Sequence, residues 1–363
     1  MVTRERPRPL RTRPTVSVVV PCYNYGHYLS ECVASVLAQD GVDVDVLIVD
    51  DASTDDSVAV ARALAADPRV RVLAQPRNRG HIATYNRGLA RATGDYVVLL
   101  SADDLLTPGS LARSTALLEA HPEVGFVYGF SAGFTDVTPP PRTRPDSWSI
   151  WSGAQWLTEN CSRATNPVST PEVVMRASMM RELAGYDARV PHAADFLLWL
   201  RAAVRAPVGR VNGVDQAFYR MHGANMHVKE FGGMVRDITE RRLVFDIVFG
   251  EDGDRVAALT NGDRVGPLDG LAGAARTALA RTALRTAVRA QRTGAGLGRT
   301  DADGPHRLAT LAVDIDAGSC TGRRWRRYER PPRLRAPRRL RRLAERVEGR
   351  LRWGRWRRRG IRD

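Results

Sequence analysis

Between Thr15 and about Phe130, short continuous apolar runs alternate with stretches whose apolar positions recur at helical spacing. "TVSVVVP" reads as a strand, "HYLSECVASVLAQ" as a helix, "VDVLIVDD" as a strand and "STDDSVAVARALAA" as a helix with Ser53 at its N-cap. "VRVLAQ" gives the third strand, "IATYNRGLARAT" the next helix, "DYVVLLSADD" the fourth strand and "EVGFVYGF" the fifth. Runs that do not alternate suit strands buried on both faces, so the pattern predicts an α/β fold with a Rossmann-like, mostly parallel sheet flanked by helices. Residues 131–165, with "PPPRTRPDSWSIWSGAQWL", read as a tryptophan-rich loop. A second half, from about 166 to 226, carries "AADFLLWLRAAV", an amphipathic helix. Residues 228–316 read as mostly helical, "LAGAARTALARTALRTAVRAQ" being the most regular piece.

Composition narrows the picture without changing it. A chain of 363 residues, 43% of them hydrophobic, buries a full core and has room for more than one domain, which excludes disorder throughout. No apolar stretch approaches the roughly 18 to 20 residues that span a bilayer, and "MVTRERPRPLRTRP" lacks the apolar segment of a signal peptide, so a cytoplasmic location is expected. Cys22, Cys32, Cys161 and Cys320 show no paired ligand spacing and read as free thiols. From Gly322 to Asp363, nineteen arginines face four acids, so this stretch carries the whole formal charge of +15 and the rest of the chain balances. The globular part is therefore not a general polyanion binder.

Three predicted strands end in residues suited to ligand chemistry. Pro21 ends the first, with Tyr23 and Asn24 facing the opening; Asp50 and Asp51 end the second; "SADD", with Ser101, Asp103 and Asp104, ends the fourth. In an open parallel sheet these ends share one rim, where ligands bind. A carboxylate there accepts the imide N–H of a uracil, and paired carboxylates hold a hard divalent cation. The alternatives are structural: "DDASTDD" is also an ordinary strand-to-helix turn, and Asp103 or Asp104 also suits a cap for the helix beginning near Thr107 and Pro108. Asp195, after "PHAA", is either a functional carboxylate or a helix N-cap, and Trp148, Trp151 and Trp156 either stack on an acceptor sugar or pack in the core.

Taken in order, "VSVVVPCYN", "VLIVDDASTDDS" and "NRGHIATYNRGLARATGDYVVLLSADDLLTP" resemble the family 2 glycosyltransferases, and the resemblance continues through "GYDARVPHAADFLLWLR" and "YRMHGANMH". It implies the nucleotide-sugar-binding GT-A fold and an inverting transfer from a nucleotide diphosphate sugar, most simply a UDP-sugar, assisted by Mn2+ or Mg2+. It implies further that Asp51 contacts the base, that Pro21, Tyr23, Asn24, Asp50, Asn78, Gly80 and Ser101 line the donor site, and that Asp103 and Asp104 face the diphosphate and metal. By the same resemblance Arg220 and His222 lie near the diphosphate and Asp195 is the catalytic base. Ser101 stands where many members carry another acid, which weakens the implied ligand set. A Gln-x-x-Arg-Trp element, found in processive members, is absent, so limited sugar addition is expected. The implied organisation is a basic arm (1–14), a GT-A domain (15–228) with a nucleotide half (15–130) and an acceptor half (131–228), a helical region (229–321) and an Arg-rich tail (322–363).

In the tail, "RRLRRLAERVEGRLRWGRW" places Leu340, Leu343, Ala344, Val347 and Leu351 on one stripe among arginines, with Trp353 and Trp356 at its end. That pattern fits a helix lying on an anionic membrane surface and suits a lipid-linked or cell-surface glycan acceptor and a peripheral place on the inner face of the plasma membrane. Two other functions compete. A nucleotidyltransferase calls for a glycine-rich, lysine-bearing loop after the first strand, which "PCYNYGHYL" is not. Nucleic-acid binding through the tail is disfavoured by the neutral globular part.

Overall fold

The computed structural model describes residues 2–223, 233–262, 268–293 and 303–330. They fall into two compact units, Met1–Trp156 with Val168–His222, and Leu157–Pro167 with the described part of Gly223–Asp363. In chain order the strands are β1 (Thr3–Glu5), β2 (Thr15–Cys22), β3 (Asp43–Asp50), β4 (Val70–Ala74), β5 (Tyr96–Leu99), β6 (Leu105–Leu106), β7 (Phe126–Tyr128), β8 (Ser131–Phe134), β9 (Ser147–Trp151), β10 (Val174–Arg176), β11 (Val208–Asn212) and β12 (Ala217–Arg220). The helices are α1 (Gly26–Leu37), α2 (Ser57–Leu64), α3 (His81–Leu89), α4 (Ser110–Ala120), α5 (Gly153–Arg163), α6 (Ala177–Leu183) and α7 (Ala194–Ala203). The second unit adds α8 (Met234–Gly250), α9 (Gly253–Gly262), α10 (Leu268–Thr293), α11 (Gly304–Asp316) and α12 (Gly322–Glu329).

The first unit is built on a nine-stranded sheet in the order β1-β9-β11-β7-β10-β5-β2-β3-β4, with a small second sheet, β6-β12-β8. β5, β2, β3 and β4 run parallel, in register Val19↔Leu99, Val19↔Leu47 and Val49↔Leu73. The fully buried valines of β2 and β3 explain why these strands read as unbroken apolar runs. The chain moves outward from β2 through β3 to β4 and then returns to the other side of β2 as β5. Strand order therefore reverses between β2 and β5, and the crevice beyond their carboxyl ends is where an α/β sheet takes a ligand. Helix α3 comes very close to this centre: a Cβ on Gly88 would meet Val19 Cγ1 at 2.3 Å. Beyond β5 the sheet is mixed, because β10 runs antiparallel to both β5 and β7.

Three expectations are corrected. Residues 131–165 are not a loop: they hold β8, β9 and α5, and the prolines that suggest a loop cluster at 139–145, between β8 and β9. Ser53 does not cap α2, which starts at Ser57; its hydroxyl instead donates to Asp50 Oδ1 at 2.5 Å. Asp103 and Asp104 do not cap α4, which begins at Ser110 behind a left-handed Gly109. The N-terminal arm supplies an edge strand, Thr3–Glu5 pairing antiparallel with Trp148–Ile150 of β9.

In the second unit α10 packs along α11, and both meet α8. Val244, Val248, Leu279, Ala283 and Leu308 are buried there, and Thr277 Oγ1 donates to Asp316 Oδ2 at 2.7 Å. Arg241 ties α8 to the Leu157–Pro167 segment through the Ala164 carbonyl, 2.8 Å from Nη1. Helix α12 buries no residue. The apolar stripe expected at 340–356 lies outside the described residues. Among the described residues no helix is long and apolar enough to cross a membrane.

Candidate active site

The loops leaving β2 and β3 are stapled together by short polar side chains. Asn24 sits at φ 58°, a left-handed conformation that asparagine tolerates, and its Oδ1 accepts the Thr54 N–H at 2.7 Å. Its own N–H donates to Ser53 Oγ at 2.9 Å. Asp50 is buried and accepts the N–H and hydroxyl of Ser53. Asp51, equally buried, accepts Gln75 Nε2 at 2.9 Å and the Arg79 N–H at 2.8 Å, both on Oδ1. Asn78 and Gly80, expected to line the donor site, are exposed; Asn78 Oδ1 accepts the Gly80 N–H at 3.0 Å and shapes the turn that delivers the Arg79 amide to Asp51. Gly80 holds φ 83°, where a side chain would strain the backbone. Tyr23 is 46% exposed beside this edge and Pro21 is half-buried.

After β5 the chain turns tightly, with the half-buried Ser101 offering its carbonyl to the Asp104 N–H at 3.0 Å. This places both aspartates of "SADD" against β12, more than a hundred residues away in sequence. Asp104 Oδ1 accepts the Arg220 N–H at 2.9 Å, the Asp103 carbonyl accepts Arg220 Nε at 2.9 Å, and Asp103 Oδ2 meets His222 Nε2 at 3.0 Å. The Arg220 guanidinium lies between the rings of Tyr28 (4.6 Å) and Phe134 (4.4 Å) and pairs with Glu31 at 2.5 Å. Burial, and then the neighbouring Asp103, push the Asp104 carboxyl well above the usual carboxylate range, against the pull of Arg220. The same acids, after burial, raise the thiol of Cys32 beneath them.

Asp195 stands in the first turn of α7, behind an N-cap at Ala193, so the capping alternative is not what the structure gives. Its Oδ1 accepts the Phe196 N–H at 2.7 Å. Burial raises the Tyr85 hydroxyl, and Asp103, Asp195 and Asp104 raise it further, which puts all three carboxylates within electrostatic reach of one phenol. Tyr219, on β12, is raised by burial and the same three acids. The structure thus brings Asp103, Asp104, Arg220 and His222 into contact, with Asp195 acting on the same Tyr85. Trp148, Trp151 and Trp156 are not acceptor platforms: each is buried, Trp156 lying edge-on to Phe126 at 5.8 Å.

A divalent cation fits this donor set. Two carboxylates crowd at a buried strand end, where burial and the neighbouring Asp103 raise the Asp104 carboxyl, so added positive charge is favoured there. Among the described residues no group of three or more His, Cys, Asp and Glu side chains is placed to hold a metal ion by itself. Two protein carboxylates with the remaining positions left to phosphate and water is the arrangement that suits Mg2+ or Mn2+. Sequence reasoning missed Tyr28, Glu31, Gln75, Tyr85 and Phe134. Gln75, directly after the third apolar run, was the most accessible of them.

Fold and site together define an α/β protein of the GT-A type. The description Glycosyl transferase family 2 matches residues 17–181, and the chain belongs to that family. EpsE of Bacillus subtilis (strain 168) is 30% identical over 200 residues, covering 53% of this chain and 68% of that one. The chain spans 22% to 66% of the length of three other curated relatives it matches. Among solved structures, S. aureus TarS in complex with UDP-GlcNAc superposes with a TM-score of 0.55 at 15% identity, over 83% of this chain and 89% of that one. The mannosyltransferase PcManGT of Pyrobaculum calidifontis, in complex with GDP-Man and Mn2+, gives 0.51 at 21% identity, over 86% and 90%. These two likenesses concern the fold.

Proposed function

We propose that this chain is an inverting, divalent-metal-dependent hexosyltransferase that moves a sugar from a UDP-sugar to a hydroxyl acceptor. The observation that carries the reading is the set of carboxylates at the strand ends flanking the order reversal, Asp51 after β3 and Asp103 and Asp104 after β5, the latter two acting with Asp195 on Tyr85. Asp51 receives the imide N–H of the base, beside Tyr23 and Pro21. Asp103 and Asp104 would hold Mn2+ or Mg2+, which when bound supplies positive charge to the departing diphosphate. Arg220 adds fixed charge at the same place, and His222 a polar ring contact to Asp103. Asp195 takes the acceptor proton as the acceptor oxygen bonds to the anomeric carbon and the bond to the diphosphate breaks, so UDP leaves and the configuration inverts. The Mn2+ in the PcManGT complex and the UDP-GlcNAc in the TarS complex support this class of donor and cofactor.

The test is thermal stabilisation of the full chain by a panel of nucleotide sugars with and without Mn2+, followed by NMR of the product anomer. UDP-sugars should stabilise in a Mn2+-dependent way. A product that retains the donor's anomeric configuration, or stabilisation that ignores the metal, overturns the reading. The acceptor fits a lipid-linked or cell-surface glycan presented at an anionic membrane, because α12 is an exposed arginine-bearing helix with Trp325 and Tyr328 side by side, 5.6 Å between ring centroids. The intact chain should sediment with anionic vesicles at low salt, and a chain ending at Thr321 should not; equal behaviour removes the membrane partner.

A further inference from the structure

We infer that Gln75 is a positioning residue that sets which nucleobase the site accepts, by filling one oxygen of Asp51; the inference rests on the uridine-donor reading above. Gln75 is buried where β4 ends, its N–H donating to the Asp50 carbonyl at 2.9 Å. Its side-chain amide is held at both ends. Nε2 donates to Asp51 Oδ1 at 2.9 Å and to Thr84 Oγ1 at 2.8 Å, while Oε1 accepts Arg87 Nη1 at 3.3 Å. A flipped amide would set oxygen against carboxylate and nitrogen against guanidinium, so one orientation is fixed.

That orientation has a consequence for Asp51. A carboxylate oxygen offers two lone pairs, and Oδ1 gives both away, one to Gln75 and one to the Arg79 N–H at 2.8 Å. Among the described residues no donor falls on Oδ2. The carboxylate therefore presents a single accepting oxygen. Uracil has one N–H between two carbonyls and matches it. Guanine presents two adjacent donors, N1–H and the exocyclic amine, which need both oxygens, and one of them is left facing an oxygen already filled. An unsatisfied donor at a buried edge costs on the order of 10- to 100-fold in affinity. Discrimination thus comes from a side chain that touches Asp51 and not the base, and Thr84 and Arg87 link it to α3, the helix packed on the sheet centre through Gly88.

The experiment measures UDP and GDP affinity by calorimetry in Mn2+ for the full chain, Gln75→Met and Thr84→Val. The unsubstituted chain should prefer UDP. Gln75→Met keeps the volume and frees a lone pair on Oδ1, so the UDP-to-GDP affinity ratio should fall about tenfold, mainly through tighter GDP. Thr84→Val leaves Gln75 in place with one anchor lost and should move the ratio the same way by about threefold, which keeps the test sound if the first variant folds poorly. A chain that prefers UDP but whose ratio stays constant in both variants, with the two affinities falling in step, assigns Gln75 a packing role and overturns this inference alone. An unsubstituted chain that prefers GDP overturns the uridine reading and this inference together.

Discussion

The strands on either side of β2 both end in a pair of aspartates, and the protein surrounds the two pairs differently. Asp50 and Asp51, after β3, are held by uncharged donors from nearby in sequence: Ser53, Gln75 and the Arg79 amide. Asp103 and Asp104, after β5, are held by Arg220 and His222, and one of the two carboxyls is pushed well up by burial and by its neighbour. The same local pattern therefore yields two kinds of group. Neutral donors fix a carboxylate in one orientation and suit it to a directed hydrogen bond. Crowding two carboxylates where water is excluded creates a demand for cationic charge, which is what a metal and a diphosphate together bring.

The largest expected effect leaves both pairs intact. Asp195→Asn removes the proton acceptor while keeping its shape, and kcat should fall on the order of 10² to 10⁴ with UDP affinity unchanged. Near-normal turnover would reassign the base. Next is Asp104→Asn, which keeps an acceptor for the Arg220 N–H and removes the desolvated charge. Mn2+-dependent UDP affinity should drop on the order of 100-fold while the metal-free protein melts no lower than the parent. A lower melting temperature with Mn2+ dependence intact would mean the pair is structural. Asp51→Ala should act the opposite way: UDP affinity falls about tenfold whether or not Mn2+ is present. If Asp51→Ala changes the Mn2+ response, the two pairs are not separate in function.

The first of these pairs was legible in the chain and the second only half so. β2 to β5 announced themselves because each is an unbroken apolar run followed by polar turn chemistry, and the strand ends named Asp50, Asp51, Asp103 and Asp104. The partners of Asp51 lie within 28 residues, yet Gln75 passed unnoticed, since a glutamine after a strand carries no periodic signal. The partners of Asp103 and Asp104 come from a small second sheet whose strands are two to four residues long, too short to show a period. The sandwich of Arg220 between Tyr28 and Phe134 joins three distant segments and is a product of packing alone. β8 and β9 were hidden for a related reason: short strands on either side of a proline-rich crossing read as loop.

A buried carboxylate outside both pairs sharpens the contrast with the smallest functional effect. Glu172, in the turn Thr170–Glu172, accepts the Ser169 N–H at 3.2 Å in a capping box, and burial pushes its carboxyl up to about 7, against the pull of Ser131, Ser169 and Arg210. Like Asp104 it is short of solvent, but it has no second carboxylate beside it among the causes of its shift. Because its folded pKa lies above the unfolded value, the native state binds the extra proton; its stabilising contribution is complete below about pH 4.5 and is lost as pH rises through about 7. Denaturant melts between pH 5 and pH 7 should therefore lose about 2 kcal/mol of stability to this group, and Glu172→Gln should remove that loss while leaving kcat unchanged. Adding Mn2+ and UDP separates it from Asp104. The slope due to Glu172 should persist in their presence, whereas the part that Asp104→Asn removes should vanish once the cation supplies the missing charge. A Glu172→Gln variant with an unaltered pH slope would show that its carboxyl finds water or a cation after all, and that burial alone does not govern the acids behind this sheet.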